Sequence, residues 1–158
     1  MASRFKALTL GVGLAIVMAG GGVTVALAQM SGEQAVKERS ELMKSFGENN
    51  KILAAAVKSG EIDAKAAKAA EEISAGLKKA VTLFPAGTGD DKLRTRAKPA
   101  IWQDLTKFTG YAKDAETHFA AMASAAKSGD KAGAEMAFTK GNEACTACHK
   151  EFRGPALK

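Results

Sequence analysis

The chain has 158 residues, which is enough for one domain. Hydrophobic residues make up 46% and charged residues 25%, and the abundance of alanine with lysine, glutamate and leucine favours helix. The formal charge is +6, but the lysines and arginines are dispersed among acids, without the basic stripe and stacking aromatics that nucleic-acid binding needs. We therefore expect no nucleic-acid partner. The mild excess of lysine either steers the protein toward acidic partners or only aids solubility.

The first 28 residues have the pattern of an export signal. A short positive region with Arg4 and Lys6 precedes an uncharged apolar stretch, which ends in the small-x-small pattern 26–28 that signal peptidase cuts. An uncleaved membrane anchor is the alternative, because the apolar run is nearly long enough to span a bilayer. The glycines and the cleavage pattern favour removal. We therefore predict a mature domain of residues 29–158 with a charge of +4, free of the membrane.

Apolar spacing predicts two helices in the first half of this domain, over about residues 32–58 and 63–84. In the first helix, two neighbouring rows of residues recur every seven positions, and Gly60 provides a stop. Asp63 is a candidate N-cap for the second helix, and Pro85 ends it. The segment 85–98 contains two glycines and two aspartates, and we predict it as the one long loop.

The third predicted helix opens with Pro99 in its first turn and ends at Ser128-Gly129. Its apolar stripe steps by four and three residues, as in helices that pack nearly parallel to their neighbours: Ile101, Leu105, Phe108, Ala112, Ala115, Phe119, Met122 and Ala126. The last helix begins after Asp130, repeats this spacing and ends at Gly154-Pro155. Four amphipathic helices with mostly short connections predict an all-α, antiparallel up-down-up-down four-helix bundle.

The last predicted helix contains Cys-Thr-Ala-Cys-His at residues 145–149, the C-x-x-C-H pattern of c-type haem attachment. On a helix, Cys145, Cys148 and His149 share one face. Both thiols can therefore reach the vinyl groups of one porphyrin, and the imidazole can bind its iron. This attachment is made outside the bacterial cytoplasm, in agreement with the export signal. We predict one covalent haem c, attached through Cys145 and Cys148, with His149 as an axial iron ligand.

Three other uses of these cysteines fit less well. A structural zinc site needs four ligands, whereas the motif holds three and the other histidine, His118, has no partner beside it. A thioredoxin-like redox pair would need a βαβ context, which a helical chain lacks. A plain disulfide would leave His149 without a role.

The first predicted helix carries Arg39 and Met43 one turn apart on its apolar face. An arginine that faces the bundle needs a counter-charge, and haem propionates would serve because no acid lies on that stripe. The Met43 thioether can complete His/Met ligation of the iron, which raises the reduction potential. Methionine at helical spacing is nevertheless usually core filler, and three other methionines of the mature chain are available: Met30, Met122 and Met136.

Three further residues stand beside these candidates. Arg153 lies four residues after His149, and either pairs with the propionates or is a solvated charge favoured by the helix dipole. His118 flanks the apolar stripe of its helix and is more typical of a boundary histidine than of a ligand. Trp102 is interpreted as core or cap packing.

The sequence resembles the class II c-type cytochromes, namely cytochrome c′ and its low-spin relatives of the c-556 type, over nearly the whole mature chain. The haem motif lies near the C-terminus and continues to Phe152-Arg153, like the C-H-x-x-[FY]-R ending of this family. Residues 39–43 are similar to the R-x-x-x-[M/L/Y] segment on the distal side of the haem, and Ile101-Trp102 resembles the c-556 group. The resemblance implies a four-helix bundle, one haem c with His149 as proximal ligand, and a periplasmic location. Family members are often homodimers through the first two helices.

The resemblance leaves two functions open. In c-556-like members, the methionine at the Met43 position binds iron, and the protein is a low-spin electron carrier that serves redox partner proteins. In c′-like members that position does not bind iron, and the five-coordinate iron takes nitric oxide or carbon monoxide. The thioether and the Ile101-Trp102 match favour electron transfer. We expect no enzyme, because a peroxidase-like activity would need a distal acid–base group that the first helix lacks.

Overall fold

The computed structural model describes residues 30–157, and the predicted export signal lies outside them. Four long helices and two short helical turns follow one another, in agreement with the predicted bundle: α1 (Gly32–Ser59), α2 (Ala64–Ala80), a 3₁₀ turn (Val81–Leu83), α3 (Ala100–Gln103), α4 (Leu105–Ser128) and α5 (Lys131–Phe152). Within the described range, no helix has both the length and the apolar character needed to cross a membrane.

Capping residues begin and end the long helices where the sequence predicts. The Asp63 carboxylate accepts hydrogen bonds from two backbone N–H groups in the first turn of α2, and Asp130 accepts one at the start of α5. Gly60 and Gly129, which follow α1 and α4, have φ of 71° and 76°. Glycine adopts this left-handed conformation without a steric penalty, so both helices end there.

The second predicted helix ends earlier than its apolar pattern. The α-helix stops at Ala80, tightens into the 3₁₀ turn, and Phe84 leaves the helical region with φ of −122° and ψ of 58°. The reason is Pro85, whose ring disfavours the α conformation of the residue before it.

The third predicted helix is wrong as a single element, because it is broken at Asp104. This residue has φ of −138° and ψ of 70°, and its carboxylate accepts a hydrogen bond from the backbone N–H of Lys107. Aspartate competes for backbone N–H groups in this way, so it favours a new helix start over a helix interior. The break also removes Leu105 from the apolar stripe, and its side chain is 48% exposed.

The bundle core lies between α2 and its two neighbours α1 and α4, and α5 packs against α4. Small residues allow these helices to approach one another closely. The Gly141 Cα faces the buried Phe119 ring, and a methyl group there would lie 3.0 Å from a ring carbon. A methyl group at Gly76 would collide with the Phe46 ring between α2 and α1. Alanine forms much of the remaining core.

The loop after the 3₁₀ turn is tied to the end of α5 by backbone hydrogen bonds. The Gly154 N–H donates to the Arg96 carbonyl at 2.7 Å, and the Lys98 N–H donates to the Phe152 carbonyl at 3.0 Å. Ala97 and Arg153 form an antiparallel bridge between them. These bonds place Arg96 beside Arg153, at one end of the bundle.

Candidate functional site

A cavity of about 700 Å³ opens among α1, α2, α4, α5 and the loop before α3. Its walls are largely apolar, with Phe46, Ile73 and Phe119 among them. All six residues predicted for the site line it: Arg39, Met43, Cys145, Cys148, His149 and Arg153. Residues more than one hundred positions apart in the sequence therefore meet in one space.

The three motif residues lie on the α5 wall of the cavity. Cys145 and Cys148 are half-buried free thiols, and no disulfide joins them. Burial raises the pKa of each thiol to about 11, so both are protonated at neutral pH. Partial burial, together with the Arg153 and Arg96 guanidiniums, lowers the pKa of His149. His149 is therefore a neutral imidazole near pH 7, the form that binds a metal.

Arg39 on α1 is 4% exposed, and neutral oxygen atoms surround its guanidinium. One terminal nitrogen donates to the Leu83 carbonyl at 3.2 Å and to the Thr88 hydroxyl at 2.8 Å. The other donates to the Thr88 carbonyl and to the Thr95 hydroxyl at 2.9 Å. The guanidinium carbon also lies 4.6 Å from the centre of the Phe84 ring.

These contacts change the interpretation of Arg39. A guanidinium has five N–H groups, and the 3₁₀ turn and the loop after it occupy four of them. Burial lowers the pKa of Arg39 to about 10, so the side chain is still a cation at neutral pH. Among the described residues, carbonyls and hydroxyls rather than carboxylates bind the guanidinium, and the contact expected with haem propionates stays a prediction. Arg39 thus clamps the loop to α1, and only its Nε–H is left for another group.

Met43, one turn after Arg39, is the one methionine among residues 30–157 that lines the cavity. Met122 is fully buried in the core between α2 and α4. Met30 and Met136 are exposed outside the cavity, with 38% and 68% of their surface accessible. Of the four candidate methionines, Met43 is thus the one that lines the cavity, and its binding to iron stays a prediction.

The two other sequence candidates lie away from the site. Trp102 donates its indole N–H to the Phe84 carbonyl at 3.0 Å, which is the packing role predicted for it. The His118 Nε2 lies 3.4 Å from a carboxylate oxygen of Asp114 on α4, and His118 does not line the cavity. The zinc alternative needs four ligands, and the described residues contain no cluster of three or more histidine, cysteine or acidic side chains arranged for a metal.

Asn50 is a site residue that sequence reasoning missed. It lines the cavity, and its Oδ1 is buried without a hydrogen-bond partner among the described residues. An orphaned polar atom of this kind is costly, and it faces a space that the protein alone does not fill. The available signal was a polar residue in the seven-residue row of Val36, Met43 and Val57.

The cavity fits a large flat apolar group with acidic edges. Its apolar walls, its two thiols and its imidazole match the requirements of a covalent haem c. Its charged lining residues are all cations, and no aspartate or glutamate of the described chain lines it. The cations that lie with Arg39 are Lys44, Arg94, Arg96 and Arg153.

Comparison with known proteins agrees with this geometry. The family model described as cytochrome c′ matches residues 34–153. Cytochrome c′ of Pararhodospirillum photometricum is 34% identical over 124 residues, which cover 78% of this chain and 98% of that protein. The crystal structure of cytochrome c′ from Thermochromatium tepidum superposes with a TM-score of 0.73 at 29% identity, over 81% of this chain and 100% of that one. Cytochrome c′ from Rubrivivax gelatinosus has a TM-score of 0.69 at 28% identity, over 77% and 96% of the two chains.

Proposed function

The chain belongs to the cytochrome c′ family and carries a covalent haem c, and from this premise we propose that it is a periplasmic electron carrier with Met43 as the sixth iron ligand. The observation that carries the proposal is the placement of Met43. It is the one methionine of the described chain that lines the cavity, on a different helix from His149. When bound, the haem supplies an iron that cycles between Fe(III) and Fe(II).

The residues of α5 hold the cofactor in this proposal. Cys145 and Cys148 form the two thioether bonds, and His149 presents its neutral imidazole to the iron from the same helix face. The helix geometry keeps the three side chains in register. The buried Phe152, one turn after Cys148, closes this wall of the cavity by packing edge-on against Phe108 at 5.5 Å between ring centres.

In this proposal, Met43 on α1 supplies the second protein ligand of the iron and so influences its reduction potential. A thioether ligand favours Fe(II) and raises the reduction potential relative to stronger donors. The Arg39 clamp lies one turn before Met43 and fixes this part of α1 against the loop. Apolar side chains on α2 and α4, including Ile73 and Phe119, line the cavity and would limit water beside a bound haem. This arrangement suits a carrier whose coordination stays the same in both oxidation states.

A second function, the binding of nitric oxide or carbon monoxide at an open iron site, is favoured by a different observation. Met43 is 38% exposed and is not part of the packed core of the described residues, so core packing does not fix its thioether in one position. The relatives named above are all cytochromes c′. If Met43 does not bind, the apolar cavity admits a small uncharged gas to the five-coordinate iron.

The ferric spin state of the purified holoprotein tests the proposal. We expect low-spin absorption and electron paramagnetic resonance spectra in the wild type and high-spin spectra in Met43→Ala, because the sixth ligand is lost. The matched control is Met136→Ala, which removes an exposed methionine outside the cavity and should leave the spectra unchanged. A high-spin wild type whose signal is lost on addition of nitric oxide would overturn the electron-carrier proposal and support gas binding.

We also propose that residues 1–28 direct export and are then removed. The support is chemical, because haem c is attached outside the cytoplasm and the chain begins with a cleavable-signal pattern. The intact mass of the protein from a periplasmic extract should equal that of residues 29–158 plus one haem. A mass that includes residues 1–28 would instead support the membrane anchor.

A further inference from the structure

The charge around the cavity differs from that of the rest of the surface. Among the described residues, five cationic side chains line the cavity and no carboxylate does. Lys44 on α1 and Arg153 after α5 are exposed at its opening, and Arg96 is half-buried beside Arg153. We call Lys44, Arg96 and Arg153 the basic rim.

The protein does not neutralise the basic rim. None of its three members forms an ion pair with another described residue, and partial burial, followed by the nearness of Arg96, lowers the pKa of Arg153. Lysines on other surfaces behave differently, because many of them pair with a neighbouring carboxylate: Lys79 with Glu38, Lys107 with Glu151, Lys127 with Glu71 and Lys140 with Glu143. Positive charge is therefore concentrated at the opening of the cavity.

The cofactor does not remove this excess. A haem carries two propionates, which can neutralise at most two of the three members of the basic rim, so at least one cation of the rim remains without a counter-charge. Arg96 uses its Nε–H for the Gly154 carbonyl at 2.9 Å, so its terminal nitrogens are available to an approaching anion. Like charges held close together without a partner are unfavourable, and an incoming acidic surface would relieve them.

We propose that the basic rim is the docking surface for an acidic redox protein, one that presents carboxylates around its own electron-transfer centre. The inference rests on the proposed electron-carrier function and names the class of partner. The transfer is a single electron: the Fe(II) haem is oxidised to Fe(III) and the partner's centre is reduced by one electron, or the reverse. Complementary charge steers such encounters and sets their rate more than their final affinity.

Oxidation of the ferrous holoprotein by small ions of opposite charge tests the rim. Hexacyanoferrate(III) and tris(1,10-phenanthroline)cobalt(III) each accept one electron. We expect the rate constant for the anion to fall, and that for the cation to rise, as ionic strength increases from about 10 to 200 mM. Lys44→Glu should lower the rate with the anion about fivefold at low salt and raise the rate with the cation.

The matched control is Lys58→Glu. Lys58 is an exposed residue of the same helix, about 21 Å along the axis from Lys44, and does not line the cavity. Lys58→Glu changes the net charge by the same amount as Lys44→Glu. If the position of the charge matters, the control should alter both rate constants by less than about 1.5-fold. Equal effects of the two substitutions would overturn the proposal, because net charge alone would then account for the steering.

A binding measurement separates this inference from the proposed function. Hexacyanochromate(III) is a redox-inert paramagnetic anion, and it should broaden the amide resonances around Lys44, Arg96 and Arg153 in the holoprotein whether or not Met43 binds iron. Absence of broadening at these residues would overturn the proposal that the basic rim is a docking surface. A high-spin ferric spectrum with intact broadening would overturn the electron-carrier function alone. A third outcome is that the holoprotein binds phosphatidylglycerol vesicles at 150 mM salt and loses this binding in Lys44→Glu. That result would overturn the acidic protein as partner in favour of a membrane surface.

Discussion

Replacement of Arg39 by methionine tests the clamp between α1 and the loop. Methionine is of similar length and apolar, so it fills most of the space but donates no hydrogen bond. The Leu83 and Thr88 carbonyls then become acceptors without a donor, and Thr88 is 2% exposed, so water does not reach it readily. The cation–π contact with Phe84 is also lost.

The magnitude follows from these contacts. Hydrogen bonds from a charged donor each contribute roughly 1.5–3 kcal/mol, and a buried acceptor without a partner costs about 1–3 kcal/mol. Removal of the buried charge offsets part of this loss, since desolvation already disfavours the Arg39 cation, as its lowered pKa indicates. We therefore expect Arg39→Met to reduce the free energy of unfolding by about 3–5 kcal/mol. Arg39→Lys keeps the charge but cannot span Thr88 and Thr95, and should cost about 2–3 kcal/mol.

Guanidinium chloride unfolding of the holoprotein, followed by far-ultraviolet circular dichroism, measures these values. Amide hydrogen exchange should also become faster in residues 85–98, which the clamp holds. Lys37→Met, an exposed substitution on the same helix, is the control and should stay within about 0.5 kcal/mol of the wild type. A loss below about 1 kcal/mol for Arg39→Met would refute the clamp.

Three further substitutions test helix packing and the hydrogen bond that Trp102 donates to the loop. Gly110→Ala should stabilise the protein by up to about 1 kcal/mol, because alanine favours helix and, beyond the adjacent residues and the local helix backbone, no described atom lies within 4 Å of the new methyl group. Gly141→Ala makes the same chemical change but places the methyl group 3.0 Å from the fully buried Phe119 ring, so it should lose about 1–2 kcal/mol in the same denaturant assay. Equal effects of these two substitutions would contradict the close approach of α4 and α5. Trp102→Phe removes the hydrogen bond to the Phe84 carbonyl and should lower the unfolding free energy by about 1–2 kcal/mol, and a neutral effect would contradict its role in holding the loop.

Most of the fold could be predicted from local sequence, because helix signals act over a few residues. Asp63, Asp130, Gly60 and Gly129 mark helix ends through bonds and backbone angles that depend only on their neighbours. The break at Asp104 was the exception. In the sequence, the apolar pattern of the third predicted helix continues past Asp104, so hydrophobic periodicity hid the capping preference of this aspartate.

The cofactor was also determined by the sequence alone, because Cys145, Cys148 and His149 lie within five residues and any helix brings them to one face. The choice of Met43 among four methionines depended on tertiary structure, since only the bundle decides which helix face borders the cavity. The partners of Arg39 come from the 3₁₀ turn and the loop more than forty residues later, and no spacing rule relates them. The basic rim likewise combines residues from α1, the loop and the end of α5. Contacts within one helical turn can be predicted from the sequence, whereas the charge and shape of a shared cavity arise only when distant segments meet.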